Sequence, residues 1–259
     1  ADRAMDALHK SSIRKVYIAG RRGPEHAAFT APELRELAHL EHTDVYFNAE
    51  EIKAAIGRAG ANGEIEKHTA SNLEAMRTVA EKEKANHERA MEFLFLHAPK
   101  EIVGSTKVEG ITFGINEVKD GQVVDTGKTV MVPCDLVITA VGYESLPYEG
   151  VTFEKGKIKN SEGRVCKTTY VVGWAKRGPS GVIGSNKSDA SDVVALLIED
   201  LTEPKNSGDI TDLIPTDHLV VDQQYWSRIN EAEIKEGEAK GKPRVKATTF
   251  ETLLRSEEH

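Results

Sequence analysis

The chain has 259 residues and an acidic balance, with 42 Asp and Glu against 34 Lys and Arg for a net charge of −8. That length holds one large or two modest domains, and the negative charge argues against a nucleic-acid partner. No apolar stretch approaches membrane-spanning length, no signal peptide is visible, and Cys134 and Cys166 lie far apart without a C-x-x-C, which points to a reducing compartment and away from dithiol chemistry.

In chain order, Ala4 and Leu8 belong to an apparent N-terminal helix. Residues 16–19 are apolar and partly β-branched and stop at Gly20, which predicts a short buried strand. Arg21, Arg22, Gly23 and Pro24 follow. In nucleotide-binding α/β folds, the residue just past the second strand meets the adenosine ribose. An acid there holds the 2′-hydroxyl of NAD, and an arginine accommodates the 2′-phosphate of NADP. The planar guanidinium suits phosphate because it makes two parallel charge-assisted bonds. A solvated arginine pair in a surface turn is the alternative reading of the same residues.

A helix is predicted around residues 32–40 and a strand over residues 44–47. Residues 71–87 read as a polar, Glu/Lys-rich helix or a partly mobile insertion, and residues 91–96 as a buried strand. Residues 108–118 and 122–132 alternate in polarity and meet at Asp120-Gly121, a hairpin signal. Residues 135–142 read as a buried strand ending at Gly142. His39 and His42 stand three apart without a third ligand nearby, so a solvated helix face is the reading and no metal site is expected. The run from Glu81 to Lys84 reads as another solvated face.

A second informative segment follows Gly173. Gly178, Gly181 and Gly184 surround Pro179, and Ala190, Val193, Val194, Leu197, Ile198 and Leu201 then recur at helical spacing. Glycines let a flat ligand approach the backbone, and the free N–H groups at a helix start favour negative charge such as a reduced flavin carries. An ordinary Gly-rich turn before a helix has the same spacing. Trp174 beside this loop packs either on a flavin ring or in a core. Lys176 and Arg177 either attract an acidic carrier or support the loop.

The motifs GRRGP-x4-FT-x-PELREL, from Gly20, and YVVGWAKRGPSGVIGSNKSDA, from Tyr170, resemble the adrenodoxin-reductase-type ferredoxin–NADP reductases. The segment from Gly237 to Lys246 resembles that family's C-terminal end, so the resemblance runs over nearly the whole chain with its motifs in family order.

The resemblance implies an α/β fold, a two-dinucleotide-binding-domain flavoprotein with a Rossmann-like NADPH domain inserted in an FAD domain. Residues 1–145 would be the remaining part of the NADPH domain and residues 146–259 the C-terminal half of the FAD domain. The chain opens at Ala1 without Met, and the family's two earlier glycine fingerprints are not in it. It is therefore expected to be the C-terminal portion of a longer reductase, inactive without the missing N-terminal part of the same protein.

The implied cofactors are FAD and NADP(H), and the implied partner is ferredoxin or a similar iron–sulfur electron carrier. By resemblance, Arg21 and Arg22 bind the NADPH 2′-phosphate. Glu33 lies near the nicotinamide, and Glu36, the residue given a catalytic place, near the flavin–nicotinamide contact. Trp174 and the backbone of Gly181, Val182 and Ile183 contact FAD. Most relatives in the broader flavoprotein superfamily carry Asp where Trp174 stands. The expected reaction is hydride transfer from NADPH to FAD, then single-electron transfers onward, in the cytoplasm or, in a eukaryote, the mitochondrial matrix. A glutamate-synthase-type NADPH subunit and a non-catalytic NADP-binding scaffold are the alternatives.

Overall fold

Four apolar residues after a lysine form the first strand, β1 (Lys15–Gly20), which follows helix α1 (Asp2–His9). The computed structural model describes residues 2–61, 63–180, 183–201, 208–215 and 220–255. It divides into a unit over residues 1–141 and another over residues 142–259.

In the first unit, a 3-10 turn (Pro24–His26) and helix α2 (Ala31–Leu37) lead from β1 to β2 (Thr43–Tyr46). Helices α3 (Ala49–Gly60) and α4 (Lys67–Glu81) lead on to β3 (Arg89–Phe95). The three strands pair in parallel in the order β1-β3-β2, with Ile18 opposite Phe93 and Val45 opposite Met91. Parallel neighbours require crossover connections, and helices supply them here. The core gathers Leu34, Val45, Phe47, Ile52, Met76, Val79 and Phe93. Phe47 stacks on Phe93 with centroids 4.2 Å apart. The polar stretch read over residues 71–87 is helix α4 only as far as Glu81, and it buries Leu73, Ala75, Met76 and Val79 along one face. Asp44 is buried at β2, where its carboxylate accepts the amides of Ala85 and His87 at 3.0 and 2.7 Å.

An antiparallel sheet follows, built from β4 (His97–Val103), β5 (Gly110–Lys119) and β6 (Gln122–Pro133). Its hairpin turns through Asp120 at φ 51° and Gly121 at φ 74°. Two consecutive positive φ values match the right-handed twist of the flanking strands.

Residues 135–142 correct the sequence reading. They form no strand, and Leu136, Ile138 and Val141 are largely exposed. Apolar, β-branched content gives strand propensity, but a strand exists only where a neighbour accepts its hydrogen bonds. None does among the described residues.

The second unit begins with two short antiparallel pairs, β7 (Phe153–Glu154) with β8 (Lys157–Ile158), and β9 (Arg164–Cys166) with β10 (Thr169–Tyr170). Helices α5 (Gly173–Arg177) and α6 (Ile183–Asp200) follow. Strand β10 stops at Tyr170, and Gly173 turns to φ 64° and starts α5. At Gly163 a Cβ would lie 2.6 Å from Val193 Cγ2, so the bare backbone lets α6 pack closely. Val193 is the buried point of α6, whereas Val194 and Ile198 are more than half exposed. The expected apolar face of this helix is therefore only partly covered. Asp200 ties the helix end to the second hairpin, accepting both Arg164 nitrogens at 2.6 and 3.0 Å and the Tyr170 hydroxyl at 2.6 Å.

A 3-10 turn (Ile210–Leu213) precedes α7 (Gln223–Glu238) and α8 (Phe250–Arg255). On α7, buried Glu233 accepts the Ala247 amide at 3.0 Å and meets Lys246 at 3.0 Å, fastening the chain after Lys242 to the helix.

Candidate functional site

The carboxyl ends of β1, β2 and β3 form the edge at which open α/β sheets bind ligands. Arg21 and Arg22 follow β1 at that edge. Both side chains are exposed, and among the described residues neither guanidinium has a carboxylate partner. Their main chain is fixed. Asn116 on β5 donates its side-chain amide to the Arg21 carbonyl at 2.8 Å, and the Leu96 amide donates to the Arg22 carbonyl at 3.1 Å. Leu96 adopts φ 60°, a left-handed conformation that costs an L-residue about 1–2 kcal/mol. Its own carbonyl accepts the Asn116 amide at 2.8 Å, which closes a small network around the arginine turn.

A second anchor follows the turn. Glu25 meets Arg58 of α3 in a fork, Oε1 to Nε at 2.6 Å and Oε2 to Nη2 at 3.0 Å. Arg58 Nη2 also meets Glu51 Oε1 at 2.5 Å. The Glu25 side chain is 6% exposed and that of Arg58 25%. The Glu25 carboxylate, opposed by burial and helped by Glu51, raises the Arg58 pKa above its ordinary value.

Glu33 and Glu36 lie on α2 and are both exposed. The Glu33 carboxylate accepts the Thr30 amide at 2.8 Å in a capping box. That backbone bond, and then the Thr30 hydroxyl, hold Glu33 below the usual carboxylate range. Among the described residues, the Glu36 carboxylate has no partner.

In the second unit, the segment from Gly173 to Arg177 is organised by Asp189 of α6. Asp189 accepts the Gly173 amide at 3.0 Å, meets Lys176 Nζ at 2.8 Å and Arg177 Nε at 3.4 Å. Arg177 also donates to the Asn186 side chain. The Lys176 ammonium is the main cause holding Asp189 below its ordinary pKa. Lys176 and Arg177 thus serve the loop itself. Asn160 joins them, donating to the Lys176 carbonyl at 3.3 Å and accepting the Gly163 amide at 3.0 Å. Trp174 is 43% exposed, with its ring centroid 5.8 Å from that of Tyr143. Gly181 and Val182 lie outside the described residues, and of Ile183 only the backbone is described, as the first residue of α6.

Sequence reading missed Leu96, Asn116, Glu25 and Arg58. Asn116 stands 95 residues from Arg21 and Arg58 33 from Glu25, so no local pattern links them. Asp189 was visible inside the quoted motif, but its clamp on Gly173 was not. Among the described residues no cluster of His, Cys, Asp or Glu is arranged to hold a metal, and no helix is long and apolar enough to cross a membrane.

No protein-family model matches the chain. NADPH-ferredoxin reductase FprA of Mycobacterium tuberculosis is 40% identical over 98% of this chain and 60% of its own length. The mitochondrial NADPH:adrenodoxin oxidoreductase of Salvelinus fontinalis is 36% identical over 97% of this chain and 56% of its own length. The solved structure of M. tuberculosis FprA in complex with NADPH superposes with a TM-score of 0.84, over 100% of this chain and 61% of that one. The chain therefore spans about 60% of the length of the curated relatives it matches.

The combination of parallel and antiparallel sheets is that of the two-dinucleotide-binding-domain reductases. Within them, the relatives this chain is similar to are NADPH-ferredoxin reductases and mitochondrial NADPH:adrenodoxin oxidoreductases.

Proposed function

We propose that this chain works in NADPH-dependent electron transfer through FAD to a ferredoxin-type one-electron carrier. The observation that carries the reading is the pair of exposed guanidinium groups of Arg21 and Arg22, without a carboxylate partner among the described residues, at the carboxyl edge of a parallel sheet. The names of the relatives, and the NADPH in the FprA complex, support it.

We assign residues 1–145 to NADPH and residues 146–259 to FAD, a reading supported by the division of the chain after Val141. The donors fit the 2′-phosphate, since two exposed guanidinium groups on a pinned backbone offer parallel charge-assisted bonds. Asn116 and Leu96 keep that backbone in place before the dinucleotide arrives. Glu33 caps α2 and is placed near the nicotinamide, and Glu36, whose carboxylate has no partner among the described residues, near the flavin–nicotinamide contact.

In the second unit, a half-exposed indole on a glycine turn clamped by Asp189 fits a planar ring. Trp174 and the backbone of Gly181, Val182 and Ile183 would hold it, and the amides at the α6 start would favour negative charge there. FAD, when bound, supplies the conversion from a two-electron donor to single-electron transfers. The two cysteines are free thiols and several relatives are mitochondrial, which supports the cytoplasm, or the mitochondrial matrix in a eukaryote, as the compartment.

The test is to reconstitute the full-length enzyme with FAD and compare NADPH with NADH as reductant of ferricyanide. A flavin spectrum with preference for NADPH supports the reading. Absence of flavin binding, or equal use of the two nucleotides, would overturn it.

A further inference from the structure

We infer that Glu25 and Arg58 form a positioning pair that holds the arginine turn in the conformation that selects a 2′-phosphorylated nucleotide. The inference rests on reading Arg21 and Arg22 as the phosphate contacts. It names residues outside the motif and explains how a short turn presents two long side chains in register.

The pair bears directly on the turn. A Cβ built on Gly23, the residue after Arg22, would lie 2.3 Å from Glu25 Oε2 and 2.9 Å from Arg58 Nη2. The carboxylate and guanidinium are thus packed on bare backbone. Arg58 in turn is held on α3 by Glu51, so the turn is fastened to a helix rather than to another loop. On the preceding side, Leu96 and Asn116 hold the carbonyls of Arg22 and Arg21. Residues 21–23 are therefore fixed at both ends while the two recognition side chains stay exposed. Two forks that must meet one phosphate gain affinity when their backbone is already ordered, because less freedom is lost on binding.

Charge alone predicts the opposite sign for one variant. Glu25 and Glu51 together outweigh Arg58, so the trio carries net negative charge beside the arginines. Neutralising Glu25 would then strengthen attraction for phosphate if only the local field mattered. If the pair positions the turn, the same change weakens phosphate binding.

The experiment titrates the full chain by calorimetry with 2′,5′-ADP and 5′-AMP, which differ only in the 2′-phosphate. The wild-type chain should prefer 2′,5′-ADP, and Arg21→Gln with Arg22→Gln should erase the preference. Glu25→Gln should lower the preference about tenfold, the equivalent of one charge-assisted hydrogen bond, with 5′-AMP affinity unchanged. Gly23→Ala should do the same without any change of charge, since its methyl displaces the two side-chain ends. The reversed pair, Glu25→Arg with Arg58→Glu, should recover part of the preference. An unchanged or raised preference in Glu25→Gln and Gly23→Ala overturns the inference, as does an equal loss for both ligands. A wild-type chain with no preference, and no effect of the arginine changes, defeats instead the underlying reading of the arginine turn.

Discussion

Leu96 donates its amide to the carbonyl of Arg22 across 3.1 Å, joining the end of β3 to the turn after β1. The contact needs a left-handed leucine, a conformation kept only where surrounding structure enforces it. Here the Asn116 main-chain amide helps enforce it by donating to the Leu96 carbonyl. The arginine turn is therefore a product of the sheet junction as much as of its own sequence.

Replacing both Arg21 and Arg22 by glutamine should weaken NADPH binding by about 2–5 kcal/mol, taking about 1.5–3 for each charged hydrogen bond with incomplete additivity. NADH binding should hardly change, because it lacks the 2′-phosphate. Binding constants for both nucleotides in the full-length enzyme check this, and parallel losses would contradict it.

Trp174→Ala should separate flavin contact from folding. The indole is 43% exposed, so its removal should alter stability by no more than about 1 kcal/mol. The visible spectrum and affinity of added FAD should change clearly. A large fall in melting temperature with an unaltered flavin spectrum would assign the indole to packing.

Gly163→Ala should destabilise the second unit by about 1–3 kcal/mol, since a Cβ there meets Val193 and the backbone sits at φ 107°. Val193→Ala in the same chain should relieve the steric part and leave the backbone part. A double-mutant cycle by denaturant unfolding reads both terms, and strict additivity would show that the two residues do not touch.

The acid limb of stability should depend on Asp200. The Arg164 guanidinium, and then the Tyr170 hydroxyl, hold its pKa down to about 2. A depressed carboxylate stabilises the fold above its unfolded pKa of about 3.9, and that contribution disappears as pH falls toward the folded value. Between pH about 4 and 2 the wild-type chain should lose stability more steeply than Asp200→Asn. Denaturant midpoints across that range decide it, and equal slopes would rule out the carboxylate as the cause.

The pattern of residues specified much of this protein directly. β1, β2, β3 and the hairpin of β5 and β6 each carry their own signal, because alternation, β-branching and a left-handed Asp120-Gly121 turn act within a few residues. The motifs around Arg21 and Trp174 carry the family resemblance for the same reason. Tertiary structure decided the rest. Residues 135–142 have strand composition yet form no strand, since backbone hydrogen bonds need a partner that composition cannot supply. That Glu33 also caps the start of its own helix is a contact set by the folded turn. Lys176 and Arg177, open to two readings, meet Asp189. The restraints on the arginine turn come from neighbouring Glu25 and from Arg58, Leu96 and Asn116 on three distant stretches of chain. A sequence states which side chains exist near a turn, but the distances that fix their conformation are set only when remote strands and helices pack together.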